Sequence, residues 1–294
     1  MRGVLVVNGF LRTQKFEEIY SLLQNAAKKQ GIELCLKTGN ELLSELSCDT
    51  NAVVKLGVDF CLFWDKDVYL ARRLENAGLP LFNSASAVET CDDKLRTAFA
   101  FKKKNLPAPK TVFAPKTFEI MGYSNLSFLY QAEQALGYPM IIKEAFGSFG
   151  QQVYLCQNRV DAENTVRTLG AKPFLMQEFI KESCGKDLRV NVVGGEAICA
   201  MERCNDHDFR SNITGGGKAK AHNLTEEEKQ LAVLACEAVG ADFAGVDLLF
   251  GKNGLLVCEV NSNPHFKSTL DCTGVDLSDY IMRHIKAKMQ GAKK

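Results

Sequence analysis

The sequence lacks any uninterrupted apolar run near the roughly 18 residues a membrane-crossing helix needs, so no membrane span is expected. It also lacks an excess of either charge. Against 36 basic side chains stand 35 acidic ones, a formal net charge of +1, which gives no general pull toward nucleic acid or a membrane surface. Cysteine is not scarce, but the 11 residues are odd in number and form no CxxC pair, which argues against both a disulfide framework and a zinc knuckle. Cys61, Cys199 and Cys236 lie in apolar runs, where a free thiol behaves as a small hydrophobe. That usage suits a reducing cytoplasm. Two nucleotide signatures are missing as well. No GxGxxG follows the first apolar run, which disfavours a Rossmann site, and no GxxxxGK[ST] occurs. The opening "MRGVLVVNGF" meets turn residues at once and reads as a first strand, not a signal peptide.

What is present alternates between strand and helix patterns. "GVLVVNG" (3–9), "IELCLKT" and "VDFCLFWD" (58–65) are strand-like, and "FEEIYSLLQNAAKKQG" (16–31) and "VYLARRLENAG" have helical spacing. The alternation predicts a small parallel α/β domain over residues 1–88. "CDDKLRTAFAFKKKNL" (91–106) reads as one linking helix. A second α/β module follows to residue 180, with strand-like "KTVFA", "YPMIIKEA", "QQVYLCQ" and "PFLMQEFI". From 181 to 288, "DLRVNVVGGEAICAMERC" predicts a hairpin about Gly194–Gly195, and Thr225 with Glu228 matches a capping box. Two more strands, "FAGVDLLF" and "GLLVCEV", flank the turn "GKNG". The basic end "IKAKMQGAKK" reads as a solvated tail, with 289–294 outside the last domain.

Three constellations carry possible chemistry. Glu259 and Asn261 lie two apart on a strand and so face one side, and pairing through residues 251–254 would bring Asp247 to them. Two carboxylates and an amide oxygen make a hard site suited to magnesium; paired or capping surface carboxylates are the plain alternative. In "KEAFGSFGQQV" (143–153), Lys143 precedes a loop whose Gly147, Ser148 and Gly150 would let backbone amides turn toward an anion, although an ordinary turn would look the same. Lys94 is a second possible phosphate contact. Asp187 and Arg189 share a strand face, and Arg203 and Arg210 add guanidinium groups that read carboxylate or phosphoryl oxygens, or that merely form salt bridges. Cys258 alternates with Glu259 and is expected on the opposite strand face. His207 and His265 fall near these segments; His222 and His284 suggest nothing.

In order and spacing, "DDKLRT" (92–97), "PMIIKEAFGSFGQQV" (139–153), "QEFIKESCGKDLRV" (177–190), "ERCNDHDFRSN" (202–212), "AGVDLL" (244–249) and "CEVNSNP" (258–264) resemble the ATP-grasp superfamily, and within it the RimK-like carboxylate–amine ligases. The resemblance implies an α/β fold in which two α+β subdomains enclose ATP behind a small parallel-sheet domain. It implies that Lys94 and Lys143 contact ATP phosphates, that Gly147, Ser148, Phe149 and Gly150 form the loop over them, and that Gln177, Glu178, Phe179 and Ile180 form the adenine hinge. Asp187 would lie at the ribose, Arg210 and Asn212 by the triphosphate, and Asp247, Glu259 and Asn261 would hold two magnesium or manganese ions. Arg210, Lys143, Arg189 and Arg203 would serve catalysis.

The implied reaction phosphorylates a carboxylate on a peptide, protein or small molecule and condenses the acylphosphate with an amino acid, glutamate in the family, releasing ADP and phosphate. A dipeptide or cofactor-tailoring ligase using another amino acid, and a non-catalytic ATP-binding module, are the alternatives. The family often forms homo-oligomers. One departure stands out: members commonly follow the metal motif with a Pro-Gly pair, whereas this chain reads "NPHFKST", putting His265 and Phe266 where the substrate loop belongs.

Overall fold

The computed structural model describes residues 1–46, 56–148, 150–212 and 216–291. Phe149 and the last three lysine-rich tail residues, 292–294, lie outside them. The N-terminal elements are β1 (Arg2–Val7), α1 (Gln14–Lys29), β2 (Glu33–Thr38), α2 (Gly39–Leu46), β3 (Phe60–Trp64), α3 (Val68–Asn76) and β4 (Leu81–Phe82). The four strands form a parallel sheet in the order β2-β1-β3-β4, as the alternation predicted. Residues Val4 to Val7 are buried on both faces, which is why β1 reads as a continuous apolar run and not an alternating one.

The expected single helix over 91–106 is two. Helix α4 (Ala85–Asp92) stops where Asp93 adopts an extended ψ of 108°, and α5 (Lys94–Lys103) begins behind it. The Asp93 carboxylate accepts from the Leu95 amide at 2.8 Å and the Arg96 amide at 3.4 Å, an N-cap that competes with helix continuation. The break has a consequence: it sets Lys94 at the first turn of α5, facing the interior of the molecule.

A four-stranded antiparallel sheet follows, ordered β5-β8-β6-β7, from β5 (Thr111–Phe113), β6 (Met140–Glu144), β7 (Val153–Cys156) and β8 (Phe174–Glu178). Helices α6 (Phe128–Leu136) and α7 (Arg159–Leu169) cover one face, packing Leu129, Ala162 and Val166 on Met140, Ile142 and Met176. The third sheet is antiparallel and five-stranded: β11-β10-β9-β12-β13, with β9 (Lys186–Val193), β10 (Glu196–Cys204), β11 (Lys218–His222), β12 (Phe243–Gly251) and β13 (Gly254–Asn261). Between β11 and β12 runs α8 (Glu226–Val239), started by the predicted capping box: the Glu228 amide donates to Thr225 Oγ1 at 3.3 Å and the Thr225 amide to Glu228 Oε2 at 2.8 Å. Helices α9 (Lys267–Thr273) and α10 (Leu277–Gly291) end the described chain. Residues 289–291, expected in a solvated tail, belong instead to α10, which continues to Gly291 with Ile285 and Met289 buried in the core shared with α1.

The parallel sheet and the five-stranded sheet are fastened together. Trp64 stacks on Phe243 with centroids 5.5 Å apart and meets Phe266 edge-on. Asn83, wholly buried, donates to the carbonyls of Phe243 and Ser262 at 2.9 Å each and accepts from the amides of Asp242 and Phe243. All the hydrogen-bonding capacity of its amide oxygen and nitrogen is thus spent across the junction.

Candidate functional site

The three sheets converge on one cleft of about 620 Å³, within the range of sites that hold a small molecule. Its floor is a charged network on the five-stranded sheet. Strand register sets Asp187 opposite Arg203 and Asp247 opposite Arg189, with β9 between the other two strands. Arg203 Nε donates to Asp187 Oδ1 at 2.7 Å, Arg189 Nη2 to Asp247 Oδ2 at 2.8 Å, and Arg203 Nη2 also reaches Asp247 Oδ1 at 2.9 Å. All four side chains are buried, and two cations offset two anions. Burial pushes the Asp247 carboxyl up, but the two guanidinium groups outweigh it and hold its pKa below the usual carboxylate value. Of the two sequence readings of Arg189 and Arg203, readers of ligand oxygens or salt-bridge partners, the structure shows the second: both are pinned by carboxylates, and Asp187 gives its oxygens to Arg203.

Asp247 stands opposite Glu259 across the β12–β13 ladder, as the turn pairing predicted. Like charges directly opposite repel, and the arginines on β9 and β10 relieve Asp247. Glu259 has no cation within ion-pair distance among the described residues, although the Lys94 ammonium is near enough to feel its charge. With its amide turned to satisfy both neighbours, Asn261 donates to Glu259 Oε1 at 3.1 Å and accepts from Arg189 at 3.3 Å.

The ladder slips by one residue between Asp247 and Leu248, a β-bulge that corrects one expectation. Cys258 does not turn to the opposite face. The extra residue brings it to the cleft beside Glu259, with Lys143 Nζ 3.6 Å from its sulfur. Burial pushes the Cys258 thiol pKa up, with Lys143 opposing.

The roof of the cleft is the 145–152 loop. Gly147 has φ of +155° and Gly150 of +73°, and a Cβ on Gly150 would sit 2.7 Å from Asn212 Oδ1. Glycine is required there for both backbone and space. Arg210 Nη1 donates to the Gly150 carbonyl at 2.6 Å while Asp208 grips its Nε and Nη2 at 2.9 and 2.7 Å. Lys94 Nζ donates to the Gly147 carbonyl at 3.3 Å; burial lowers its pKa, with Glu259 opposing. At the other end Gln177, Glu178, Phe179 and Ile180 line the wall, but the polar side chains are engaged: Gln177 Nε2 donates to Thr111 Oγ1 at 2.9 Å, and Glu178 Oε1 accepts from the Lys110 amide at 2.7 Å. The sequence-read site candidates among the described residues all line this one cleft; Phe149 lies outside those residues.

Sequence reading assigned no ligand role to the end of the cleft that belongs to the parallel sheet, although strand ends in such sheets often face a cleft. Asn8 follows β1, and Asp65 and Lys66 follow β3; Asn8 Nδ2 donates to Asp65 Oδ1 at 3.1 Å. Ligands of open parallel sheets bind at the carboxyl ends of strands, so the strand assignments themselves held that signal. His265 lies here too, donating from Nε2 to the Lys15 carbonyl at 3.2 Å and meeting Phe16 edge-on. Burial lowers its pKa to about 4, with Lys15 adding to the effect.

Among the described residues no cluster of three or more His, Cys, Asp or Glu side chains could hold a metal, and no helix is long and apolar enough to cross a membrane. A model of the RimK-like ATP-grasp domain matches residues 91–285. The chain is 36% identical over 224 residues to a probable alpha-L-glutamate ligase of Parasynechococcus marenigrum, covering 75% of this chain and 46% of that protein. It is 32% identical over 252 residues to beta-citrylglutamate synthase B of Danio rerio, covering 85% and 60%. The chain thus spans about half to three-fifths of the length of these relatives. Its fold is that of a RimK domain ATP-grasp protein from Sphaerobacter thermophilus, with a TM-score of 0.72 at 19% identity over 97% of this chain and 99% of that one.

Proposed function

We propose, since the chain belongs to the RimK-like ATP-grasp family, that it is an ATP-dependent carboxylate–amine ligase. The observation carrying this reading is the shared cleft: a glycine loop with Lys94, Lys143 and Arg210 faces Asp247, Glu259 and Asn261 across one cavity. In this reading residues 1–88 precede the ATP-grasp unit, 89–180 form its central subdomain and 181–288 its C-terminal one. The adenine lies against Gln177 to Ile180, where backbone groups read the base because the polar side chains are already bonded. Lys143 and Lys94 meet the phosphates as point charges. Ser148 and the flanking glycines turn amides toward them, Phe149 belongs to the same loop, and Asn212 and Arg210 stand beneath it. Asp187 lies toward the ribose.

The donor set fits a hard divalent ion, magnesium or manganese, in two copies by family resemblance. It consists of carboxylate and amide oxygens, and Glu259 is the anion the arginines leave uncovered. Glu259 would hold the ion, with Asn261 and Asp247 joining it through the oxygens that Arg189 and Arg203 now cover. When bound, such an ion offsets charge on the transferring phosphoryl oxygens.

The protein's own groups do the rest. Arg210, aimed at the loop carbonyl, supplies positive charge where the phosphoryl group leaves ADP. Arg189 and Arg203, their charge balanced by Asp247 and Asp187, serve catalysis in this reading by holding the floor carboxylates in position while the amine attacks the acylphosphate. L-Glutamate is the proposed amine donor, by analogy with the relatives' names. The test is ADP release from purified full-length chain with magnesium–ATP, glutamate and candidate carboxylates, with the product's mass read out. Turnover that requires both carboxylate and amine supports a ligase; nucleotide binding without ADP release under any pairing supports a binding module instead.

A further inference from the structure

The nucleotide and ion groups leave the parallel-sheet end of the cleft without a role. The proposed chemistry poses an electrostatic problem there, and this inference rests on that ligase reading. A carboxylate must approach the terminal phosphoryl of a polyanion, and like charges at bonding range repel strongly in a partly desolvated cleft. Lys94, Lys143 and Arg210 all serve the nucleotide side. A cation is needed on the other side.

Lys66 is placed for it. It follows β3 and lines the cleft, and its ammonium leaves the parallel sheet to reach the loop over the phosphates, 3.1 Å from Ser148 Oγ. Asp92, at the end of α4, holds the same ammonium at 2.5 Å. An ammonium has three N–H donors; these partners take two, and no third appears among the described residues. Lys267, another cation at this end, is instead bound to Asp271 on its own helix.

We propose that Lys66 donates its remaining N–H to the carboxylate of the acceptor and holds it against the terminal phosphoryl group. A compact ammonium suits this task better than a guanidinium. Lysine engages one carboxylate oxygen and leaves the other free to attack, whereas the planar fork of arginine takes both. The free oxygen forms a bond to the γ-phosphorus, the bond from that phosphorus to the bridging oxygen breaks, and ADP departs with the electron pair. Lys66 remains an ammonium and transfers no proton. Since the same group touches Ser148, acceptor and loop positions are registered together.

Full-length wild type, Lys66→Gln, Lys66→Arg and Ser148→Ala would be assayed for ADP release with glutamate and a panel of citrate, N-acetylated acidic amino acids and glutamate-terminated peptides. In Lys66→Gln the acceptor KM should rise at least about tenfold while the KM for ATP stays within about twofold. Lys66→Arg should keep the acceptor KM near wild type and lose kcat, the mark of a blocked oxygen. A second readout is the acceptor-dependent rise in melting temperature of protein loaded with magnesium and a non-hydrolysable ATP analogue, expected to vanish in Lys66→Gln. If Lys66→Gln weakens ATP as much as acceptor, or Ser148→Ala reproduces its acceptor defect, Lys66 is only a latch on the loop and the proposal falls. A wild type that turns over with no carboxylate overturns the ligase reading itself, and Lys66's role with it.

Discussion

Asp247 and Glu259 face each other across one pair of strands, yet only Asp247 is clasped by arginine. The difference separates a carboxylate needed for folding from one available for chemistry. Glu259→Ala is expected to abolish ADP release, at least about a hundredfold, with little change in the urea midpoint. Asp247→Ala should instead cost roughly 3–5 kcal/mol of stability, because Arg189 and Arg203 would share Asp187 as their remaining buried anion. Equal denaturation midpoints for the two variants would remove this distinction.

Chelation follows the same logic. The buried charges of the floor are neutralised by arginine, so EDTA should stop ADP release while leaving the melting temperature of the nucleotide-free protein unchanged. A large drop in melting temperature on chelation would mean that an ion, and not the arginine pair, balances these carboxylates.

Gly150→Ala meets both a left-handed backbone and a Cβ 2.7 Å from Asn212 Oδ1. It should weaken nucleotide binding by about tenfold or more. Gly170 at the end of α7 has a similar φ of +59° but open space around its Cβ. Gly170→Ala therefore carries only the backbone cost of roughly 1–2 kcal/mol and should bind nucleotide normally. Titration of a fluorescent ATP analogue compares the two.

Asn83 tests how the parallel sheet is joined to the rest. Asn83→Ala strips partners from two carbonyls and two amides at a buried junction, a loss of roughly 2–4 kcal/mol. Hydrogen exchange should show the effect concentrated at Asp242, Phe243 and the parallel sheet. Loss spread evenly over all three sheets would contradict a local fastening.

His265 sets a pH dependence. Its folded pKa of about 4 lies below the ordinary value of 6.5, so between those limits the unfolded chain binds the proton and the folded chain does not. Stability should fall as pH drops from about 6.5 toward 4, and His265→Gln should flatten that part of the curve. An unchanged slope in the variant would locate the effect elsewhere.

Much of this was legible in the linear chain. The apolar run of β1, the Thr225–Glu228 cap and the glycines at 147 and 150 are local signals, each decided by residues within a turn or a strand of one another. Even the approach of Asp247 to Glu259 follows from a short hairpin, and the ordered motifs implied the family that the comparisons bear out. The helix break at Asp93 escaped because a capping carboxylate and a helical one look alike until the backbone chooses. The inward turn of Cys258 escaped because a single bulge reverses strand alternation, and no composition marks where a ladder slips. The sequence by itself determined the strands, the glycine loop and the set of charged side chains. Tertiary structure alone decided which of those charges neutralise one another and which face an open cleft, since Arg189, Arg203 and Lys66 meet partners across strands and sheets whose separation in the chain carries no distance information.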